Sequence, residues 1–126
     1  MARQRSASGN LTPLELEIMK ALWEAGPSTV AEVRARLGSE LAYTTVQTML
    51  NVLLRKGKVR RVQQGRAFRY RAALSRERAA GSAVGDMVKR MFGGSGEALL
   101  MAMVDTRQIT AQELARFARR LTEEEE

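Results

Sequence analysis

Apolar residues recur at helical spacing in six stretches of this chain, and one stretch between them alternates like a strand. Leu14, Ile18, Ala21 and Leu22 form the first stripe. Thr12-Pro13-Leu14-Glu15 predicts its start as a capping box with proline at N1, with Leu11 and Leu16 as a staple. Gly26-Pro27 ends it. Val30, Val33 and Leu37 form a second stripe, opened at Ser28 or Thr29 by the box Thr29-Val30-Ala31-Glu32 and closed by Gly38. A short link, residues 39–43, leads to the third. There Val46, Met49, Leu50, Leu53 and Leu54 lie on one face. Thr44-Thr45-Val46-Gln47 predicts a third capping box, and Gly57 a C′ glycine. A hairpin follows, with Gln64-Gly65 as the expected turn. Phe68 and Tyr70 share one of its faces and are expected to pack on the helices. Trp23 reads as core or interface filling rather than a stacking platform.

The other face of the third helix carries Thr44, Gln47, Thr48, Asn51 and Arg55. These are mostly short hydrogen-bonding groups, unlike the Glu/Lys mixture of an ordinary solvated face. Beside them the hairpin holds Lys58, Arg60, Arg61, Arg66, Arg69 and Arg71. A polar helix face next to a cationic hairpin matches the needs of reading a DNA groove: hydrogen bonds for base edges, positive charge for phosphates. Two helices, a tight turn, a polar-faced helix and a hairpin make a winged helix-turn-helix. Candidate base contacts are Thr44, Thr45, Gln47 and Thr48; Asn51 and Arg55 are candidates for the backbone. Gly65 and Arg66 would bring the wing to a phosphate or the minor groove. Thr44 and Gln47 have two compatible readings, as cap partners and as groove contacts.

Charge sharpens this reading. The net charge is +7 and the isoelectric point about 10.8. Residues 1–75 hold thirteen Lys/Arg against five Asp/Glu, and residues 76–126 eight against nine. The basic surface therefore belongs to the first part. With no cysteine and no histidine, the 126-residue chain has no thiolate or imidazole metal ligand, no cysteine nucleophile and no histidine base. No cofactor, metal or catalytic residue is expected. The lack of disulfides fits a reducing, cytoplasmic location. The longest apolar run, Ala98–Val104, is too short to span a bilayer, and the N-terminus is not a signal peptide. Residues 1–10 read as a disordered arm, with Arg3 and Arg5 near phosphate or simply solvated.

Beyond residue 74 the character changes. Ser75 predicts a helix to Phe92, with Ala80, Val84, Met87 and Met91 spaced like a coiled-coil seam and Val88 beside it. Gly93-Gly94-Ser95-Gly96 breaks it. Residues 97–104, with Leu99, Leu100 and Met103, are apolar nearly all round and are expected to be buried on several sides. Asp105–Gln108 reads as a turn. Ile109-Thr110-Ala111-Gln112-Glu113 opens a last helix with Leu114, Phe117, Ala118 and Leu121 on one side; residues 123–126 form an acidic tail. The expected organisation is a winged-helix domain over 11–74 and a three-helix dimerisation domain over 75–122, mainly α with a small β-wing. Its interface would use Val84, Met87, Val88, Met91, Leu99, Leu100, Met103, Leu114, Phe117 and Leu121, and the two-fold predicts an inverted-repeat site. Met87, Met91, Met101 and Met103 have a second reading, as the lining of a ligand pocket.

The order LTPLELEIMKALWEAG, STVAEVRARL, YTTVQTMLNVLLRKGKV and GRAFRYRA resembles the penicillinase and methicillin-resistance repressor family (the BlaI/MecI/CopY group), across roughly residues 11–121. The resemblance implies a homodimeric winged-helix transcriptional repressor linked to antibiotic resistance. It places Thr44, Thr45, Gln47 and Thr48 on the recognition helix and Gly65 and Arg66 at the wing tip. Penicillinase-type members are switched off by a protease acting at an Asn-Phe bond; Ala102-Met103 stands there in this chain. The copper-responsive branch uses cysteine pairs that this chain lacks. The competing functions are a sequence-neutral architectural DNA binder, a winged helix used for protein contact, and an enzyme. The last lacks a phosphate-cradling glycine loop and a convergent carboxylate pair.

Overall fold

The computed structural model describes residues 10–38 and 40–125. The N-terminal arm, apart from Asn10, therefore lies outside the described residues. The elements run α1 (Pro13–Ala25), α2 (Val30–Leu37), α3 (Tyr43–Arg55), β1 (Val59–Gln64), β2 (Ala67–Ala72), α4 (Arg76–Met91), α5 (Gly96–Asp105) and α6 (Ala111–Glu125). The chain divides into two compact units, one through Val84 and one from Gly85. The division falls inside α4, later than the expected boundary at 74/75.

In the first unit the capping boxes of α1 and α2 form as expected. Glu15 and Glu32 amides donate to Thr12 and Thr29 hydroxyls, and both carboxylates accept in return. Gly26 and Gly38 stop these helices at positive φ. α3 ends in a Schellman motif: Gly57 N–H donates to Leu54 O and Lys58 N–H to Leu53 O. The φ of +77° at Gly57 is what the motif requires. The core joins Ile18, Met19 and Leu22 of α1, Val33 of α2, Val46, Leu50 and Leu53 of α3, and Val59 and Tyr70 of the strands, all buried. Truncating such a residue, Leu50→Ala for example, costs about 2–5 kcal/mol.

β1 and β2 pair antiparallel from Val59↔Ala72 to Gln64↔Ala67. Ser28 adds a bridge to β2, exchanging two backbone hydrogen bonds with Tyr70 at 2.8 and 2.9 Å. The wing is thereby fastened to the α1–α2 turn. Gln64 closes the ladder, so the two-residue turn is Gly65-Arg66 and not Gln64-Gly65. Gly65 has φ +63° and Arg66 a negative φ, as in the II′ turns that suit twisted hairpins.

In the second unit Ser95 caps α5 through the Ala98 amide, and Thr110 and Glu113 form the box that opens α6. α5 ends in another Schellman motif, this time with Arg107 in the left-handed region at φ 64°. The helix of α6 continues to Glu125, so the acidic residues 123–125 form its last turn. No residue of α4, α5 or α6 is buried. The expectation that α5 is covered on several sides is therefore not met within one chain, because three short helices enclose too little volume to bury their own apolar faces.

Candidate nucleic-acid interface

α3 begins two residues earlier than its sequence suggests. Ala42 is the N-cap, without a side-chain cap; its carbonyl accepts from the Thr45 and Val46 amides at 3.1 and 3.2 Å. The third capping box therefore does not form, since Thr44 lies inside the helix at N2. Of its two readings, only the groove contact remains open. Thr44, Thr45, Gln47 and Thr48 are all exposed, and no hydrogen bond among the described residues engages their side chains. Unsatisfied donors and acceptors on one rigid face are what base-edge recognition uses. Tyr43, read as linker in the sequence, is N1 of α3 and 45% exposed. Its signal was available: an aromatic residue just before a helix whose apolar stripe omits it.

Asn51 sits further along, half-buried, and its side-chain oxygen accepts from Arg61 at 3.4 Å. Arg61 also donates to the Tyr70 hydroxyl at 3.3 Å and lies 3.9 Å from the Phe68 ring centroid. One guanidinium thus braces the wing against α3. Arg55, the last residue of α3, is exposed and makes no ion pair among the described residues.

The six hairpin cations fall into two groups. Lys58 is buried rather than displayed; burial, with the Lys56 charge beside it, holds its pKa below the ordinary lysine value. Arg61 is engaged as above. Arg69 donates to Pro27 O at 3.0 Å, to Glu32 at 3.1 Å and to Gln64. Glu32 in turn has its carboxyl held low, first by the Thr29 backbone amide and against desolvation, with Arg69 adding to the effect. Arg60, Arg66 and Arg71 are exposed and without ion pairs among the described residues. Arg60 and Arg71 are cross-strand partners, a like-charge pairing that costs stability unless an anion lies near. Arg66 shares the wing tip with Gly65.

The residues expected at a dimer interface are on the surface. Met91 is 72% exposed, and Phe117 and Leu121 are each 46% exposed. Val84, Met87 and Leu100 are exposed as well; Val88, Leu99, Met103 and Leu114 are half-buried. Met101 is 55% exposed and belongs with them, although only the pocket reading had singled it out. Ala102 and Met103 lie inside α5, both half-buried.

A three-helix core with a two-stranded wing and an open polar face on its third helix defines a winged helix-turn-helix protein. The chain belongs to the penicillinase repressor family, which it matches over residues 11–123. It is 35% identical over 117 residues to the transcriptional regulator BlaI of Mycobacterium tuberculosis, covering 90% of this chain and 83% of that protein. It is 24% identical over 106 residues to the penicillinase repressor of Bacillus licheniformis, covering 82% and 83%. In fold it is similar to a MarR family protein from Bacillus stearothermophilus, with a TM-score of 0.50 at 20% identity over 90% of this chain and 84% of the other. No helix among the described residues is long and apolar enough to cross a membrane.

Proposed function

We propose that the chain is a homodimeric, sequence-specific repressor whose operator is an inverted repeat. The observation that carries this reading is the unpartnered, exposed polar row Thr44, Thr45, Gln47 and Thr48, together with the free, exposed Arg66 at the wing tip. The helix row reads base edges; Arg55, Arg60, Arg66 and Arg71 meet phosphates; Asn51 holds Arg61 and so sets the wing's angle. Gly65 gives the tip its turn.

The dimer is the second half of the reading. A domain already complete is followed by helices with no buried residue and a row of exposed Val, Leu, Met and Phe side chains. A second copy covers that surface by a two-fold, and a two-fold protein requires a two-fold site. Relief of repression by a protease partner at Ala102–Met103 requires α5 to unwind locally first, because the bond lies within the helix.

Selection of bound duplexes from a random pool tests this. The expected product is a palindrome with half-sites about one or two helical turns apart. Absence of enrichment contradicts base reading and favours the architectural alternative; enrichment of an isolated half-site contradicts the dimer.

A further inference from the structure

The first unit holds a groove of about 1040 Å³ that the DNA-binding reading leaves unused. Its apolar wall is Leu11, Leu16, Trp23 and Leu74, closed by Ala79 and Ala83 from the first turns of α4. The volume is at the upper end of small-molecule sites, which bury an apolar body and fix it with a few polar groups. The Trp23 indole N–H already donates to Leu74 O at 2.9 Å, so the ring adds apolar surface without an unmet donor.

Cations predominate around the groove. Lys20, Lys58, Arg76 and Arg78 line it with one carboxylate, Glu24, which lies 3.3 Å from Arg36; Lys20 is 3.6 Å from Glu17, an exposed pair that an anion can compete for. The Arg76 guanidinium is 5.5 Å from the Trp23 ring centroid. We infer that this groove binds a small amphipathic anion, an aromatic or aliphatic carboxylate or sulfonate whose apolar body lies on Trp23 and whose charge meets Lys20, Arg76 and Arg78. The site lies against the start of α4, the helix that leads on to the dimerising helices. An occupant is therefore placed to weaken operator binding. That last step rests on the repressor reading; the site itself does not.

Trp23 is the only tryptophan, so its fluorescence reports on this groove even if a probe also coats apolar helices elsewhere. The experiment titrates the full chain with 8-anilinonaphthalene-1-sulfonate and reads Trp23 quenching. Saturable quenching is expected. A Lys20→Glu, Arg78→Glu double variant, both positions being exposed, should weaken it by about tenfold, a loss of roughly 1.4 kcal/mol. A cationic dye of similar size should leave Trp23 unchanged. Equal quenching by the cationic dye or in the double variant overturns the inference. So does an indifferent Trp23, the result if a second copy of the chain fills the groove. Operator affinity is measured on the same samples. Failure to bind operator without probe sinks the repressor reading and leaves the groove to be judged on quenching alone. Quenching with unchanged operator affinity keeps the site and removes its regulatory role.

Discussion

The Lys56 ammonium lies 2.8 Å from the buried carboxylate of Glu15, which comes forty-one residues earlier in the chain. The other oxygen of Glu15 accepts from the Thr12 amide at 2.9 Å. One side chain thus caps α1 and ties it to the C-terminus of α3. Burial pushes the Glu15 pKa up, but Lys56 and Thr12 together outweigh it and hold the group below its ordinary value of 4.5.

Glu15→Gln should therefore destabilise the protein by about 2–3 kcal/mol at neutral pH. That corresponds to a melting temperature lower by roughly 10 °C. Because the folded pKa is lowered, the contribution is complete above the ordinary carboxylate range and lost as pH falls through the folded pKa. Thermal denaturation from neutral pH into acid should show the gap between wild type and variant narrowing as pH falls below the ordinary carboxylate value. A gap that persists there contradicts the ion pair as its source.

Base reading and phosphate binding separate by their response to salt. Gln47→Ala should cost about 1–3 kcal/mol at one base pair and leave the salt slope unchanged. Arg66→Ala should weaken all sequences alike and reduce the slope of log K against log salt by about 1. Titrations at several salt concentrations check both. Equal behaviour of the two variants contradicts the division of labour.

With α6 in the proposed two-fold contact, Phe117→Asp and Leu121→Asp should each yield a monomer by sedimentation velocity, since a charge introduced into such a contact is buried twice. Operator binding should then fall to half-site strength. A variant that remains dimeric places the contact elsewhere on α4 or α5.

Arg107 occupies the C′ position of α5 with φ 64°, where a side chain costs roughly 1–2 kcal/mol. Arg107→Gly should therefore raise the melting temperature. A lower one contradicts the assigned backbone geometry.

Much of the fold was legible because it depends on local chemistry. Thr12 and Thr29 cap where Thr-x-x-Glu predicts, and Gly57 turns where a helix must end. Tyr70 and Phe68 pack as their alternation requires. The misplaced features depended on choices that the sequence leaves nearly degenerate. Thr44 offers a cap, but the Ala42 carbonyl opens the helix earlier. Gln64 and Arg66 both flank Gly65, and strand register decides which one joins the turn. Which cations remain free was also hidden, because the partners of Arg61 and Arg69, Asn51 and Glu32, are brought to them only by the tertiary fold. The exposed helices show the reverse case: the apolar stripes were plain, and the described residues of one chain leave them exposed.

Base reading by α3 is the step on which the proposed repressor function depends. The most direct measurement is fluorescence anisotropy at physiological salt with two duplexes: one carrying the selected palindrome, the other its scrambled version. The scramble should bind at least about a hundredfold more weakly, a few kcal/mol spread over the base contacts. Equal affinity for both duplexes would contradict it and leave a sequence-neutral DNA binder built on the same fold.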